Sequence, residues 1–245
     1  MPKTSTSQRM IAAADELRQA ARALDFSSHV AWVYNPLDYA WAAHREYLRR
    51  YAQGSRRVLF LGMNPGPWGM TQTGVPFGEI AVVKNWLQID EVIGKPANEH
   101  PKRIIEGLAC QRSEVSGRRL WGLFAERFGS PEAFMSEHFV ANYCPLVFME
   151  ESARNITPDK LPASLRQSLE AVCDRHLAQT ISVLQPQWVV GVGAFAEKCV
   201  RRVLAASDMP RVQVGRILHP SPASPAANKD WGGVAGRQLE ALGIW

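Results

Sequence analysis

The chain has 245 residues, of which 46% are hydrophobic and 21% charged, and its 28 Lys and Arg exceed its 23 Asp and Glu by five. A chain of this length can bury roughly 70 to 75% of the surface that it exposes when unfolded, which excludes disorder as its main state. Charged residues interrupt every apolar run before the ~18 residues that a membrane span needs, so we expect a soluble protein with no membrane partner. The mild positive charge is compatible with a nucleic-acid binder and with many enzymes of small metabolites.

The first 26 residues predict an amphipathic helix that packs on the rest of the chain. Asp15 and Glu16 argue against a mitochondrial transit peptide, because such peptides contain few acidic residues. We expect residues 1–245 to form a single domain. The helix is predicted from five apolar residues at helical spacing: Ile11, Leu17, Ala20, Ala21 and Leu24.

Four short apolar runs further along the chain predict strands that are buried on both faces. They cover residues 56–62, 138–146, 187–193 and 211–218. Segments with apolar residues at helical spacing alternate with them, at 116–129, 162–185 and 194–206, and a last helix is predicted at 231–242. This alternation predicts an α/β fold with three layers, in which helices cover both faces of a central four-stranded parallel sheet.

Polar side chains follow three of the predicted strands at their carboxyl ends. Asn64 comes after the first strand, Asn142 lies near the end of the second and His219 follows the fourth. Ligands of parallel sheets bind just beyond this edge, so we expect the three side chains to converge there. Two loops rich in proline accompany them, at 64–79 and 219–231, and an irregular segment of such length in a compact domain is usually functional.

Neither a cofactor nor a metal is predicted. The dinucleotide and P-loop glycine motifs are missing, and "GVGAFAEK" at 191–198 is more typical of a tight turn from strand to helix. No two cysteines are close in sequence, which disfavours zinc and iron–sulfur sites. We expect reduced, buried thiols and therefore a reducing compartment: a bacterial cytosol or nucleoid, or the nucleus of a eukaryote. The thiols are those of Cys110, Cys144, Cys173 and Cys199.

Three motifs together resemble the single-strand-selective monofunctional uracil-DNA glycosylases. They are "GMNPGPWGMTQTGVPFGE" (62–79), "NYCPL" (142–146) and "HPSPASPAANK" (219–229), and the resemblance runs from about residue 30 to the C-terminus. It implies a uracil-DNA glycosylase-like fold and hydrolysis of the N-glycosidic bond of deoxyuridine in DNA, after the nucleotide is flipped out of the stack. We expect a monomer that leaves an abasic site.

The resemblance also implies roles for individual residues. His219 stabilises the negative charge that develops on uracil, and Asn64 holds the attacking water. Asn142 reads the base, its amide oxygen accepting from N3–H and its amide nitrogen donating to O4. Phe77 stacks on the flipped base, and Gly66 leaves room at C5, which implies acceptance of 5-hydroxymethyluracil. The base pocket is completed by Gly62 and Met63.

A proline-rich ridge from Pro220 to Lys229 is expected to insert into the space that the flipped nucleotide vacates. Ser116 and Gly117, at the start of a helix, are expected to bind phosphate through hydroxyl and backbone N–H groups. Vertebrate relatives carry Arg where this chain has Ala223, so we expect activity on duplex DNA to differ most from the family. The predicted DNA contacts of the ridge are Pro220, Ser221, Pro222, Ala223, Ser224, Pro225 and Lys229.

Two alternatives to this function remain open at the level of sequence. One is a related glycosylase that prefers another base, such as mismatched thymine, hypoxanthine or xanthine. The other is a non-catalytic protein that binds damaged DNA on the same fold, against which the pair Asn64 and His219 counts. A nucleoside hydrolase or phosphoribosyl transferase is disfavoured, because the motifs provide no cluster of Asp residues.

Since only Lys84 and Lys229 lie near the motifs, no amine nucleophile is expected and strand cleavage is not predicted.

Overall fold

A computed structural model describes residues 4–207 and 212–245 of the chain. The strands are β1 (Trp32–Tyr34), β2 (Val58–Gly62), β3 (His138–Asn142), β4 (Val147–Met149), β5 (Asn155–Ile156), β6 (Trp188–Val192) and β7 (Gln213–Ile217). The helices are α1 (Thr6–Arg22), α2 (Pro36–Tyr39), α3 (Trp41–Tyr51), α4 (Met70–Thr73), α5 (Val115–Phe128), α6 (Pro131–Met135), α7 (Ala163–Leu184), α8 (Ala194–Ala205) and α9 (Pro225–Ala241). Single 3-10 turns lie at Gly107–Ala109 and Pro158–Lys160, and a π-helical turn lies at Val82–Trp86.

The central sheet confirms the four predicted strands. Its order is β3-β2-β6-β7 and all pairs are parallel. The register places Gly62 beside Asn142, so the ends of β2 and β3 lie together. Beyond the strands, the backbone N–H groups of Tyr143 and Cys144 donate to the carbonyls of Gly62 and Met63, both at 2.9 Å. These bonds hold the two loops that follow β2 and β3 against each other.

Helices cover both faces of this sheet, as the sequence predicts. Helices α1, α3, α7 and α8 pack together on one side, and α5, α6 and α9 pack on the other. On the second side Phe60, Phe124 and Phe134 form an aromatic core. The ring centroid of Phe124 lies 4.9 Å from that of Phe60 and 4.2 Å from that of Phe134. Burial of such rings is a main source of folding free energy.

The predicted N-terminal helix is shorter than expected. Helix α1 begins after Ser5, whose side chain caps it, and buries Met10 and Leu17 among others against α7 and α3. Residues 1–3 of the predicted span lie outside the described residues. Assignment of 1–245 to one domain stays a prediction.

A second, smaller sheet was not predicted. It is antiparallel, with order β1-β4-β5, and pairs Val33 with Phe148 and Phe148 with Ile156. Its strands have only two or three residues, which is too short for an alternating pattern to be recognised. Through β4, this sheet directly follows the loop after β3 that carries part of the candidate site.

The helix predicted at 231–242 is confirmed as the second part of α9, and the first part, before a break at Asp230, was not predicted. Helix α9 begins at Pro225, because the Ser224 side chain accepts a hydrogen bond from Ala227 N at 3.4 Å and proline occupies the first helical position. The helix is interrupted at Asp230, where φ is −161° and ψ is 71°. Residues 225–229 of the predicted ridge are therefore helical, and only its first part is a loop.

The expected state of the cysteines is confirmed. All four are free and buried.

Within residues 4–207 and 212–245, no group of three or more His, Cys, Asp or Glu is placed to hold a metal ion. No helix in the same ranges combines the length and the hydropathy that crossing a membrane requires.

Folding stability is expected to fall in mild acid, because three histidines are buried in the neutral form. Burial lowers the pKa of His44, His138 and His176 to about 4. In the unfolded chain these groups take up protons near pH 6.5, so their stabilising contribution is complete above that pH and is lost as the pH falls toward 4. Urea unfolding at about pH 7.5 and about pH 5 measures the difference. We expect His44→Gln to reduce it and the exposed His29→Gln to leave it unchanged, and equal midpoints at both pH values would contradict this.

Candidate active site

A cleft of about 330 Å³ opens at the carboxyl edge of the central sheet. As predicted, it brings together Asn64, Asn142 and His219 from three different strand ends. Met63, Gly66 and Phe77 also line it, so six of the seven residues predicted for catalysis and base binding share one cavity. The volume is in the range of small-molecule binding sites.

Asn64 is held in one orientation by the backbone. Its Nδ2 donates to the carbonyl of Leu146 at 3.1 Å and to that of Pro65 at 3.4 Å. Because the amide nitrogen is engaged with these acceptors, Oδ1 is the atom left to accept a hydrogen bond from a ligand. An oxygen that accepts but cannot ionise orients a water molecule without acting as a strong base.

His219 is poised as a neutral hydrogen-bond donor. The backbone N–H of Ser221 donates to its Nδ1 at 3.1 Å, so Nδ1 carries no proton and Nε2 carries one. Burial lowers the pKa of His219 below its usual value, which favours the same neutral form. Gly193, at φ 95°, lies so close that a Cβ there would meet His219 Cβ at 3.1 Å. This contact accounts for a glycine of the 191–198 segment and supports its prediction as a tight turn.

Asn142 contacts a methionine that fixes its amide. Its Nδ2 donates to Met70 Sδ at 3.3 Å. A thioether sulfur accepts hydrogen bonds and cannot donate them, so it favours the orientation with nitrogen on its side. The next residue, Tyr143, donates to Asp174 at 2.6 Å and accepts from Arg202 at 2.8 Å, which anchors the end of β3. The orienting contact that the proposed reading of uracil requires is therefore present.

Phe77 occupies a strained backbone position over the cleft. Its φ is 53°, a region that non-glycine residues enter rarely and often at functional sites. Its ring centroid lies 6.4 Å from that of His219. A Cβ on Gly62 would overlap the Phe77 ring and Asn142 Oδ1, and a Cβ on Gly117 would overlap the Phe77 carbonyl. Gly62 does not line the cleft, and its predicted contact with the base is replaced by this packing role.

The predicted phosphate contacts at the start of α5 require a correction. The carboxylate of Glu114 accepts from Ser116 N at 3.2 Å and from Gly117 N, so both N–H groups already have an acceptor. Burial raises the pKa of Glu114, while these two hydrogen bonds act in the opposite direction. Ser116 lines the cleft, but the backbone donors predicted to bind phosphate are not free.

The loop after His219 is a braced turn with an exposed tip. Ser221 Oγ accepts from Ala223 N at 3.1 Å, which closes the turn at Pro222 and Ala223. Arg119 donates to the carbonyl of Pro220 at 2.9 Å, and Asn228 Nδ2 donates to that of Pro222 at 2.8 Å. Pro220 is buried, contrary to its predicted insertion into DNA, whereas Pro222, Ala223, Pro225 and Lys229 are exposed.

Several residues of the cleft were missed by the sequence analysis. Asn155 of the small sheet and Thr157, just beyond it, line the cleft, and Asn155 Oδ1 is buried with no donor in the described chain. Arg119 also bonds Asn228 at 2.9 Å, which joins α5 to α9 behind the loop. No lysine of the described residues lines the cleft.

Comparison with known proteins identifies the family. A model of the uracil DNA glycosylase superfamily matches residues 49–234, which is most of the chain. The chain belongs to the uracil DNA glycosylase superfamily. This finding confirms the resemblance drawn from the three motifs.

Individual members of the superfamily are similar over nearly the whole chain. The single-strand selective monofunctional uracil DNA glycosylase of Bos taurus is 54% identical over 94% of this chain and 83% of its own length. The corresponding protein of Rattus norvegicus is 51% identical over the same shares. The crystal structure of wild-type SMUG2 from Pedobacter heparinus matches 94% of this chain and 97% of that one, with a TM-score of 0.68 at 17% identity. The last match supports the superfamily fold.

Proposed function

We propose that this protein is a monofunctional DNA glycosylase that hydrolyses the N-glycosidic bond of deoxyuridine, and of 5-hydroxymethyldeoxyuridine, in single- and double-stranded DNA. The observation that carries the proposal is the cleft in which Asn64 Oδ1, the Asn142 amide and the neutral His219 converge beside Phe77. Membership of the uracil DNA glycosylase superfamily supports the reaction class.

In the proposed reaction the glycosidic bond breaks first and uracil leaves with its bonding electron pair. The sugar then resembles an oxocarbenium ion, and negative charge collects on O2 of the base. Nε2–H of His219 donates to this oxygen, and a donor held in place before the reaction stabilises such charge more than it stabilises the substrate. Water held by Asn64 attacks C1′ and loses a proton to solvent, which leaves an abasic site. Since the cation is already formed, this water needs orientation more than deprotonation.

Base choice follows from the Asn142 amide in this proposal. Uracil offers a donor at N3 and an acceptor at O4, which match Oδ1 and Nδ2. Cytosine offers the reverse pattern, so it leaves two polar groups of the cleft unpaired, and unpaired buried groups are costly. The Met70 contact stabilises the orientation that suits uracil.

A panel of oligonucleotides tests the proposal against other base preferences. Each carries one of uracil, 5-hydroxymethyluracil, mismatched thymine, hypoxanthine or xanthine. We expect release of the first two bases and an intact strand until alkali is added. Release of only thymine or of only a purine would overturn the substrate assignment, and strand cleavage without alkali would overturn the monofunctional one.

Gly66→Tyr is expected to restrict the substrates to uracil. Gly66 lines the cleft and a Cβ there meets no atom within 4 Å, so the first carbon of a tyrosine side chain has room at this position. We expect the tyrosine ring to occupy the space in the cleft that a 5-substituent needs. We expect the rate of 5-hydroxymethyluracil excision to fall at least about 100-fold and the rate of uracil excision to change much less, since a pocket that lacks room rejects the larger base. Equal losses for both bases would show that Gly66 does not face C5.

Ala223→Arg is expected to raise excision from duplex DNA relative to single strands. Ala223 lies at the exposed tip of the braced turn, where an added guanidinium reaches phosphate or an unstacked base. The ratio of duplex to single-strand rates for wild type and variant measures the effect, with Ala226→Arg on the exposed face of α9 as a control for added charge. An unchanged ratio would refute a role for the tip in opening base pairs.

The proposal includes a monomeric protein that works where thiols stay reduced. The four free, buried cysteines support such a compartment, either the cytosol or nucleoid of a bacterium or the nucleus of a eukaryote. Sedimentation with and without a uracil-containing oligonucleotide tests the monomer.

A further inference from the structure

A cluster of two arginines on one tryptophan lies at the rim of the cleft and is not used by the proposed reaction. Trp68 lines the cleft from the loop after β2. The guanidinium carbon of Arg103 lies 5.0 Å from the centre of its ring, and that of Arg112 lies 5.5 Å from it. We call Trp68, Arg103 and Arg112 the Trp68 cluster.

The two positive charges of this cluster are not neutralised by the chain. Among residues 4–207 and 212–245, no carboxylate oxygen lies within 4.0 Å of the nitrogens of either arginine, although many other arginines have such partners. The Nε of Arg103 is buried and has no acceptor. Two cations beside one ring repel each other, and a donor without an acceptor is unfavourable, so the arrangement favours the binding of an anion beside Trp68.

The backbone that carries Arg103 is held by hydrogen bonds from side chains of β1 and α4. Tyr34 donates to the carbonyl of Arg103 at 3.0 Å, and Gln72 of α4 donates to that of Ile104 at 3.0 Å. The same Gln72 accepts from Glu106 N at 2.9 Å. Arg112 directly precedes Ser113 and Glu114 in the sequence, and these two residues line the cleft. The indole of Trp68 positions the side chains of Arg103 and Arg112, since guanidinium groups bind the faces of aromatic rings.

We infer that the Trp68 cluster binds a backbone phosphate of the DNA strand that flanks the flipped nucleotide. This inference rests on the proposed function, because it needs a nucleotide in the adjacent cleft. A phosphodiester fits the site, since arginine pairs with phosphate oxygens through two parallel hydrogen bonds. The cluster would then bind single-stranded DNA without needing a second strand, and it would do so through charge, not through reading of bases.

Binding and chemistry are measured separately to test this. Affinity is measured by fluorescence anisotropy with a single-stranded oligonucleotide that carries 2′-fluoro-deoxyuridine, whose fluorine slows the reaction. We expect Arg103→Ala and Arg112→Ala each to raise Kd about 5-fold and to reduce the slope of log Kd against log salt by about 0.7. Single-turnover uracil release at saturating enzyme stays near the wild-type rate. Arg103→Lys and Arg112→Lys keep the charge and are expected to retain most of the salt slope.

Arg127 supplies a matched control, because its guanidinium carbon lies 4.4 Å from the ring centre of Trp245, away from the cleft. We expect Arg127→Ala to change neither Kd nor the salt slope. Oligonucleotides with one neutral methylphosphonate at successive positions then locate the contact: at one position the wild type loses affinity and Arg103→Ala does not. The inference would be overturned by an unchanged salt slope in both arginine variants. It would also be overturned if no methylphosphonate position weakened binding by the wild type while leaving Arg103→Ala unaffected. If the wild type binds as described but releases no uracil, the proposed function fails and the phosphate site does not.

Discussion

Replacing His219 with leucine is expected to lower the single-turnover rate of uracil release by about 10² to 10³, the loss typical of removing one donor from a developing oxyanion. The cause is specific to the geometry of the cleft. Ser221 N donates to Nδ1, so the only N–H group of the ring is at Nε2. Leucine has a similar volume and removes that donor. Quench-flow assays of a uracil-containing oligonucleotide, with enzyme in excess, measure the rate.

Two further measurements separate this role from a structural one. His219→Gln retains an N–H donor and is expected to lose less activity than His219→Leu at the same unfolding temperature. Because burial lowers the pKa of His219, the wild-type rate is expected to show no step at pH 6.5, where an exposed histidine titrates. A rate for His219→Leu that equals the wild type would exclude the histidine from the reaction.

The second large effect is expected for Asn142→Asp, with a loss of uracil excision of at least about 10³-fold. An aspartate at this position places a carboxylate oxygen against O4 of uracil and removes the only donor that Asn142 supplies. It also places an acceptor against Met70 Sδ, which now accepts from Asn142 Nδ2. The substitution changes hardly any volume, so the loss reports on hydrogen bonding more than on packing.

Asn98→Asp provides the control for the second substitution, because Asn98 is exposed and lies outside the cleft. It adds the same charge and is expected to keep the wild-type rate. Excision of uracil by Asn142→Asp at the wild-type rate would show that Asn142 does not read the base.

The residues at the carboxyl edge of the sheet were predictable because simple rules place them there. A continuous apolar run predicts a strand buried on both faces, and parallel strands end at the same edge. Asn64, Asn142 and His219 therefore converge as expected. The glycines were predicted less well, since Gly62 acts by making room for Phe77 and Asn142 and this depends on the packing of distant segments.

The missed features share a different cause, namely that they depend on local caps and short pairings. Glu114 is not among the preferred capping residues, so its hold on the N–H groups of Ser116 and Gly117 was not apparent from sequence. The start of α9 was detectable, because Ser224 followed by Pro225 is a typical helix beginning. The strand that contains Asn155 has two residues and carries no periodic pattern.

We propose that Asn64 and His219 act together in one cleft to release uracil from DNA. The most direct test measures free uracil released from a single-stranded oligonucleotide by the wild type, Asn64→Ala and His219→Ala, with binding of the same strand measured in parallel. We predict release by the wild type, a loss of at least about 100-fold in each variant, and retained binding in all three proteins. Absence of uracil release by the wild type, or undiminished release by both variants, would contradict the proposed roles of Asn64 and His219.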